Sequence, residues 1–253
     1  MKKFILLFLL IPSLCFAVEP IDFSKSIAMS PAILGGSGGV AAENPCAGYL
    51  VCQGFEGTGY DNGETWTEYI QADSSVNEDS TSTVLAGAQS LAVGVSAWGG
   101  GSGDGPRTYV DFTAQDNLYA YFLYQSTSVD AGGHIAKILD SEGNYLCSVN
   151  SNASGLQCQC SNDLTTAATL SNDTTIHVWL EYIKGTGTDG ICRVAWSTDG
   201  NKPGGGDHYA AQTCTQTAQA SKFMLGGGVN SGSITRTYDK IRLRATAIGS
   251  NPN

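Results

Sequence analysis

From Tyr49 onward the chain alternates in hydrophobicity every second residue, in short bursts that end on turn residues. Successive side chains of a strand point to opposite faces, so this rhythm builds strands with one buried and one outward face. Thr175 to Lys184 is the clearest case: Ile176, Val178, Leu180 and Tyr182 fall on one face, His177, Trp179 and Glu181 on the other. Similar runs span Gln89 to Trp98, Arg107 to Thr113, Asn117 to Gln125, Gly133 to Leu139, Asn144 to Asn150 and Leu156 to Cys160. Gly190 to Ser197, Lys222 to Leu225 and Thr237 to Thr246 complete the series, and no helical stripe exceeds two turns. Many short strands with turn signals between them predict an all-β fold, a two-sheet antiparallel sandwich in a single domain.

The start of the chain has a different character. Lys2-Lys3, the apolar run Phe4 to Ile11 and the small residues Cys15 and Ala17 have the form of a secretory signal peptide, residues 1–17, cut after Ala17. The apolar run is shorter than the ~20 residues of a spanning helix. Residues 18–45, with Pro20, Pro31, Pro45 and Gly35-Gly36-Ser37-Gly38-Gly39, read as a flexible leader. The sandwich is then expected over 46–247, followed by a tail, 248–253. The expected product is soluble and extracytoplasmic, in a periplasm or outside the cell, with no membrane insertion once the signal is gone. Losing Lys2 and Lys3 moves the net charge from −10 to −12, which argues against nucleic acid as a partner.

Of eight cysteines, Cys15 leaves with the signal, and an oxidising compartment makes disulfides the default for the rest. Cys158-Gln159-Cys160 is too closely spaced for a metal pair, and His134, His177 and His208 are scattered. Asn152-Ala153-Ser154-Gly155 reads as a turn. If that turn is symmetric, Val149 faces Leu156 and Cys147 lies opposite Cys158, within disulfide reach. Cys46 with Cys52 and Cys192 with Cys214 are the other expected pairs, leaving Cys160 free or paired between chains. The glycine clusters at 99–105, 204–206 and 226–228 lack the flanking strand, helix and Lys-Ser/Thr of a phosphate loop, and read as surface loops.

Four segments carry a resemblance: Gly54-Phe55-Glu56-Gly57, Gly87-Ala88-Gln89-Ser90-Leu91, Trp179-Leu180-Glu181-Tyr182 and Tyr238-Asp239-Lys240-Ile241-Arg242-Leu243. In this order they resemble the concanavalin-A-like jelly-roll group, including laminin-G-like domains. The resemblance implies that the first and last strands lie side by side in one sheet. Phe55 would then enter the core and Glu56 would lie near Lys240 or Arg242. The group includes lectins, carbohydrate-binding modules, glycoside hydrolases, lyases and adhesion domains. Calcium is a common companion of laminin-G-like domains, and Asp61, Asn62, Asp104, Asp199 and Asp207 are loop oxygens of the right kind.

Catalytic signatures are thin. The carboxylate array of retaining glycosidases is absent, and Glu64 and Glu68, flanking Trp66, read as solvated acids. A lyase would need a cluster of Tyr, His and Arg or Lys, for which Tyr121, His134, His177 and Arg193 are the candidates. Binding has more support, because sugar rings stack on exposed aromatic faces. Trp179 and His177 face away from the core stripe, and Trp98, Tyr109, Tyr119 and Tyr121 are expected to line the same face. The expected function is therefore non-catalytic binding of a glycan or another surface ligand. The alternatives are a structural or adhesive surface protein whose sandwich packs against copies of itself as a homo-oligomer, supported by the flexible leader, the odd cysteine and the low charge, and a diverged glycan-cleaving enzyme (glycoside hydrolase or polysaccharide lyase).

Overall fold

The computed structural model describes residues 46–252, apart from 61–63, 71–73, 96–104, 130–131, 153, 161–162, 167 and 229–231. The expected signal peptide and leader, Trp98, and the loop oxygens of Asp61, Asn62 and Asp104 lie outside the described residues.

Alternation becomes strand throughout. The first strands are β1 (Val51–Gln53), β2 (Trp66–Tyr69), β3 (Ser74–Ser80), β4 (Ser90–Val95) and β5 (Arg107–Gln115). The middle of the chain gives β6 (Asn117–Ser126), β7 (Gly133–Leu139), β8 (Tyr145–Asn152), β9 (Gly155–Gln159) and β10 (Asp163–Thr165). The rest forms β11 (Ile176–Ile183), β12 (Gly190–Ser197), β13 (Tyr209–Cys214), β14 (Ala220–Gly226) and β15 (Ile234–Arg244). They assemble into an eight-stranded sheet, β13-β12-β11-β6-β15-β4-β3 with β1 also on β15, and a seven-stranded sheet, β10-β9-β8-β7-β14-β5-β2. The result is an all-β sandwich of two antiparallel sheets, as the alternation predicts.

Its core takes the inner face of each strand. Ile176, Val178, Leu180 and Tyr182 of β11 join Phe122, Phe223, Tyr238, Leu91 and Ile241 in one continuous apolar cluster. Tyr238 crosses this layer and donates its hydroxyl to the Ile135 carbonyl of the opposite sheet at 2.9 Å. Arg236 is fully buried and ties down two loop carbonyls, those of Gly227 (2.8 Å) and Gly132 (3.0 Å).

First and last strands are neighbours, Val51 opposite Leu243 and Gln53 opposite Ile241. Phe55 enters the core in a left-handed conformation (φ 55°), its amide and that of Gly54 both held by the Gln53 side-chain oxygen. Glu56, expected beside Lys240 or Arg242, accepts the Ala88 amide at 2.8 Å. It presses so close to Gly87 that a Cβ there would stand 1.5 Å from its carboxylate, and Gly87 also holds a positive φ. Arg242 donates instead to the carbonyls of Gln53 and Ile241.

The disulfides differ from expectation in two of three cases. Cys46–Cys52 forms, but Cys147 pairs with Cys192 and Cys160 with Cys214. The reason is register. Strands β8 and β9 pair as far as Asn152 opposite Gly155, a register in which Val149 faces Cys158 and not Leu156. Cys147 is thereby carried past Cys158, toward Cys192 in the other sheet. Both long-range bridges join β8–β9 to β12–β13, clamping the two sheets along one edge. The odd sulfur is Cys158, not Cys160, and it is buried, 3.0 Å from the Cys192 sulfur. Burial pushes its thiol up to about 12. A thiol so placed does not reach a second chain, which removes the odd-cysteine support for self-association.

Candidate functional site

Each sheet turns one face away from the core, and the two faces are built differently. On the eight-stranded sheet, Tyr119, Tyr121 and Leu123 alternate outward on β6, and His177, Trp179 and Glu181 on β11, with Trp179 opposite Tyr121 across the pair. The structure thus brings together four of the residues singled out from sequence. Tyr121 and His177 share a hydrogen bond of 2.8 Å, and Trp179 lies near both rings.

These rings do not form an open platform. Tyr121, Leu123, Trp179, Ala195 and Ile248 make a second apolar cluster, with Tyr49, Leu85 and Ala86 around it. The chain after β15 lies over the sheet as a strap: the Trp179 indole donates to the Gly249 carbonyl at 3.1 Å, and the Asn251 amide donates to that of Gly200. Trp179 and Tyr121 are each only 1% exposed. Stacking against a sugar is closed to them because the protein's own residues already cover these faces.

At the edge of this cluster the strap leaves a recess of about 330 Å³ between Tyr119, Tyr209 and the Pro203–Gly204 loop. Its floor holds Glu181, whose carboxylate takes Lys202 on one oxygen and Arg193, at 3.4 Å, on the other. Lys202 is fixed there because its ammonium also donates to the Ile248 carbonyl and its amide to the Ser250 hydroxyl.

The seven-stranded sheet presents polar side chains. Register sets them in two rows: His134, Asn150 and Gln157 face one another across β7, β8 and β9, as do Lys137, Ser148 and Gln159. The second row continues through Met224 of β14 to Tyr109 of β5. Tyr109 therefore belongs to the sheet opposite Trp179 and does not join the other aromatics. Its ring carries the Lys222 ammonium 4.6 Å from its centre, with Asp111 at 3.5 Å from the same nitrogen.

Hydrogen bonds fix the rows. Asn150 donates from Nδ2 to the Gln159 side-chain oxygen at 3.0 Å and accepts at Oδ1 from Ser148. Its Oδ1 also lies 2.5 Å from His134 Nδ1, so that nitrogen carries the proton and Nε2 keeps the lone pair. Burial, with the nearby Lys137 charge, lowers the His134 pKa to about 4, so the ring is neutral at pH 7. Tyr145 completes the network, donating to the Gln159 carbonyl at 2.6 Å. His134, Asn150 and Ser148 are themselves buried. The groups this network holds toward the outside are therefore the two carboxamides Gln157 and Gln159 and the Lys137 cation, a set that suits hydroxyl-rich or acidic ligands.

The remaining expectations resolve simply. His134 lies in one sheet and Tyr121, His177 and Arg193 in the other, so the expected lyase quartet does not assemble. Glu64 accepts the Cys52 amide at 2.7 Å and Glu68 the Tyr60 hydroxyl at 2.9 Å, so the two acids serve different partners. Asp199 accepts from Asn201 in a local turn, and the Asp207 carbonyl accepts the Ala168 amide. Among the described residues, the one cluster with metal-ligand spacing is Cys147, Cys158 and Cys192, two of which are disulfide-bonded. No helix of the described residues is long and apolar enough to cross a membrane.

No family model and no curated protein matches this chain. Solved structures do. The endo-β-1,4-glucuronan lyase of the fungus Trichoderma reesei superposes with a TM-score of 0.60 at 15% identity, over 81% of this chain and 99% of the lyase. The alginate lyase Aly36B gives a TM-score of 0.52 at 13% identity, covering 79% of this chain and 98% of that one. A sialidase gives a TM-score of 0.54 at 12% identity over 79% of this chain, which spans only 19% of the sialidase. At such identities the likeness is one of fold.

Proposed function

We propose that this chain binds an acidic polysaccharide along the outer face of the seven-stranded sheet and holds it without cleaving it. The observation that carries the reading is the set Lys137, Gln157 and Gln159, half-buried on that face and aligned in two rows with the buried His134, Asn150 and Ser148, which hydrogen bonds hold in place. Preorganised groups lose little entropy on binding. Strands ~4.8 Å apart repeat such groups at a spacing comparable with a sugar residue. Lys137 and Lys222 supply positive charge on a chain whose net charge is −10. The fold is shared with lyases named for glucuronan and alginate, both uronate polymers, which supports the same ligand class. Three disulfides fit an oxidising, extracytoplasmic setting for such an encounter.

One observation favours a second reading, cleavage by β-elimination. His134 holds a neutral ring whose Nε2 would take the uronate α-proton while the Lys137 charge stabilises the carboxylate. The C4=C5 double bond then forms as the C4–O glycosidic bond breaks, and the departing oxygen takes its proton from water. Calorimetric titration with alginate, glucuronan and a neutral glucan, with calcium and with chelator, tests the binding. Lys137→Ala combined with Gln159→Ala is expected to weaken the acidic polymers by at least about tenfold. Unchanged affinity in that variant, or no affinity for any acidic polymer, would overturn the reading. Growth of ultraviolet absorbance from unsaturated uronate, lost in His134→Gln, would replace holding with cleavage.

A further inference from the structure

The recess on the eight-stranded sheet has no part in the proposed polymer face, and its charges are arranged in a way the fold does not require. Glu181 is almost wholly buried, and burying a carboxylate is unfavourable unless charge and hydrogen bonds compensate. Lys202 provides that compensation directly, on Oε1. Arg193 stands off at 3.4 Å from Oε2 and, among the described residues, that is the one bond its guanidinium makes. With Glu181 balanced by Lys202, Arg193 leaves the recess one positive charge in excess. A guanidinium has five donors in a planar fork that matches a carboxylate, so most of its hydrogen-bonding capacity is still open.

The walls point to what accompanies that carboxylate. Tyr119 and Tyr209 are half-buried on either side, and neither phenol has a hydrogen-bond partner among the described residues. The charges of both Glu181 and Arg193 act on the Tyr119 hydroxyl, so it belongs to the same constellation. Two rings with free hydroxyls offer apolar faces and polar edges together, the combination that fits a polyol ring. A volume of about 330 Å³ admits one or two sugar units and excludes a polymer run.

We propose that this recess is a second, separate binding site, which takes a single sugar-acid unit with its carboxylate on Arg193 and its ring between Tyr119 and Tyr209. The unit can be a free monosaccharide or the end of a glycan chain. The site is independent of the polymer face, and the two can be tested apart.

Ligand-observed saturation-transfer NMR and titration with D-glucuronate, with D-glucose as the neutral control and a glucuronate-terminated oligosaccharide as the third arm, make the test. Glucuronate should bind and glucose should not. Arg193→Gln should weaken glucuronate by at least about tenfold, the scale of a lost charge-assisted pair. Tyr209→Phe, which keeps the ring, should weaken it less, while Lys137→Ala on the other face should leave it unchanged. Equal thermal stability of the wild type and Arg193→Gln would show that the loss is not unfolding. If the oligosaccharide binds at least as well as the monosaccharide, the recess takes chain ends, and if only the monosaccharide binds, it takes free sugar acids. The proposal fails if glucuronate does not bind at millimolar concentration, if Arg193→Gln binds it as well as the wild type, or if Lys137→Ala abolishes it.

Discussion

The two outward faces of this sandwich invert what their residue types suggest. The eight-stranded face has the aromatics and looks, in sequence, like a sugar platform. Yet Trp179 and Tyr121 are sealed beneath Ile248 and the strap. The seven-stranded face has few rings; its half-buried Lys137, Gln157 and Gln159 stand over a buried layer of His134, Ser148 and Asn150, whose hydrogen bonds order them. Facing away from the core is therefore not the same as facing water. What covers a face decides its use, and the covering segment can lie far away in sequence.

This contrast can be broken by experiment. The largest effect belongs to Trp179→Ala, which should cost about 3–5 kcal/mol in urea unfolding because it opens a cavity in a sealed cluster. If it left stability intact and removed glycan binding, the eight-stranded face would be the platform after all. Next comes the edge where the two sheets are clamped. Cys192→Ser should lose about 3 kcal/mol. Cys147→Ser should lose less, because Cys158 lies beside Cys192 and can take its place when the chain oxidises. Peptide mapping of Cys147→Ser should find Cys158 bonded to Cys192, and two free thiols would contradict the geometry.

The third effect sharpens the polar face through pH. The folded state lowers the His134 pKa from 6.5 to about 4, so the unfolded chain takes up its proton first as the solution is acidified. The stability this site contributes is complete above pH 6.5 and is lost as pH falls from 6.5 to 4, by on the order of 2–3 kcal/mol. Urea midpoints across that range should show the slope in the wild type and a shallower one in His134→Gln. Equal slopes would mean that the ring is not held neutral. Smallest of all, Lys137→Ala should change stability by no more than about 0.5 kcal/mol, as a surface side chain should. A larger loss would make the polar rows a structural device and not a binding one.

Much of this was legible in the chain. The runs read as Gly133 to Leu139 and Gly190 to Ser197 are strands with those bounds, and the stripe of β11 faces as its alternation says. Alternation did not reveal β1, which only the resemblance supplied, nor β2, β3, β10 and β13, the four that end the two sheets. An edge strand has a neighbour on one side only and is kept polar against unwanted pairing, so its pattern is weak, as Ser74 to Ser80 shows. The cysteine pairs failed over the position of one turn: the hairpin is centred one residue later than assumed, which shifts every partner by two and moves Cys147 past Cys158. Trp179 was placed on the correct face, but its cover was read as a tail, where Ile248 is the one large apolar residue and the one available signal. The polar rows had a signal too. Ser148-x-Asn150 and Gln157-x-Gln159 alternate between the very residues whose cysteines and valine were used to set the hairpin.

The adjacency of β1 and β15 has a consequence for how the molecule is made. Strand β15 lies between β6 and β4 and also pairs with β1, so three strands depend on the last one formed. Arg242 reaches back 189 positions to the Gln53 carbonyl. Bringing such distant segments together is entropically slow, and contacts of this span place a fold among the slower ones to form. A nascent chain that has not yet released residue 243 has an eight-stranded sheet with its middle missing. Its two halves, β13-β12-β11-β6 and β4-β3, have no strand to join them until that segment is available.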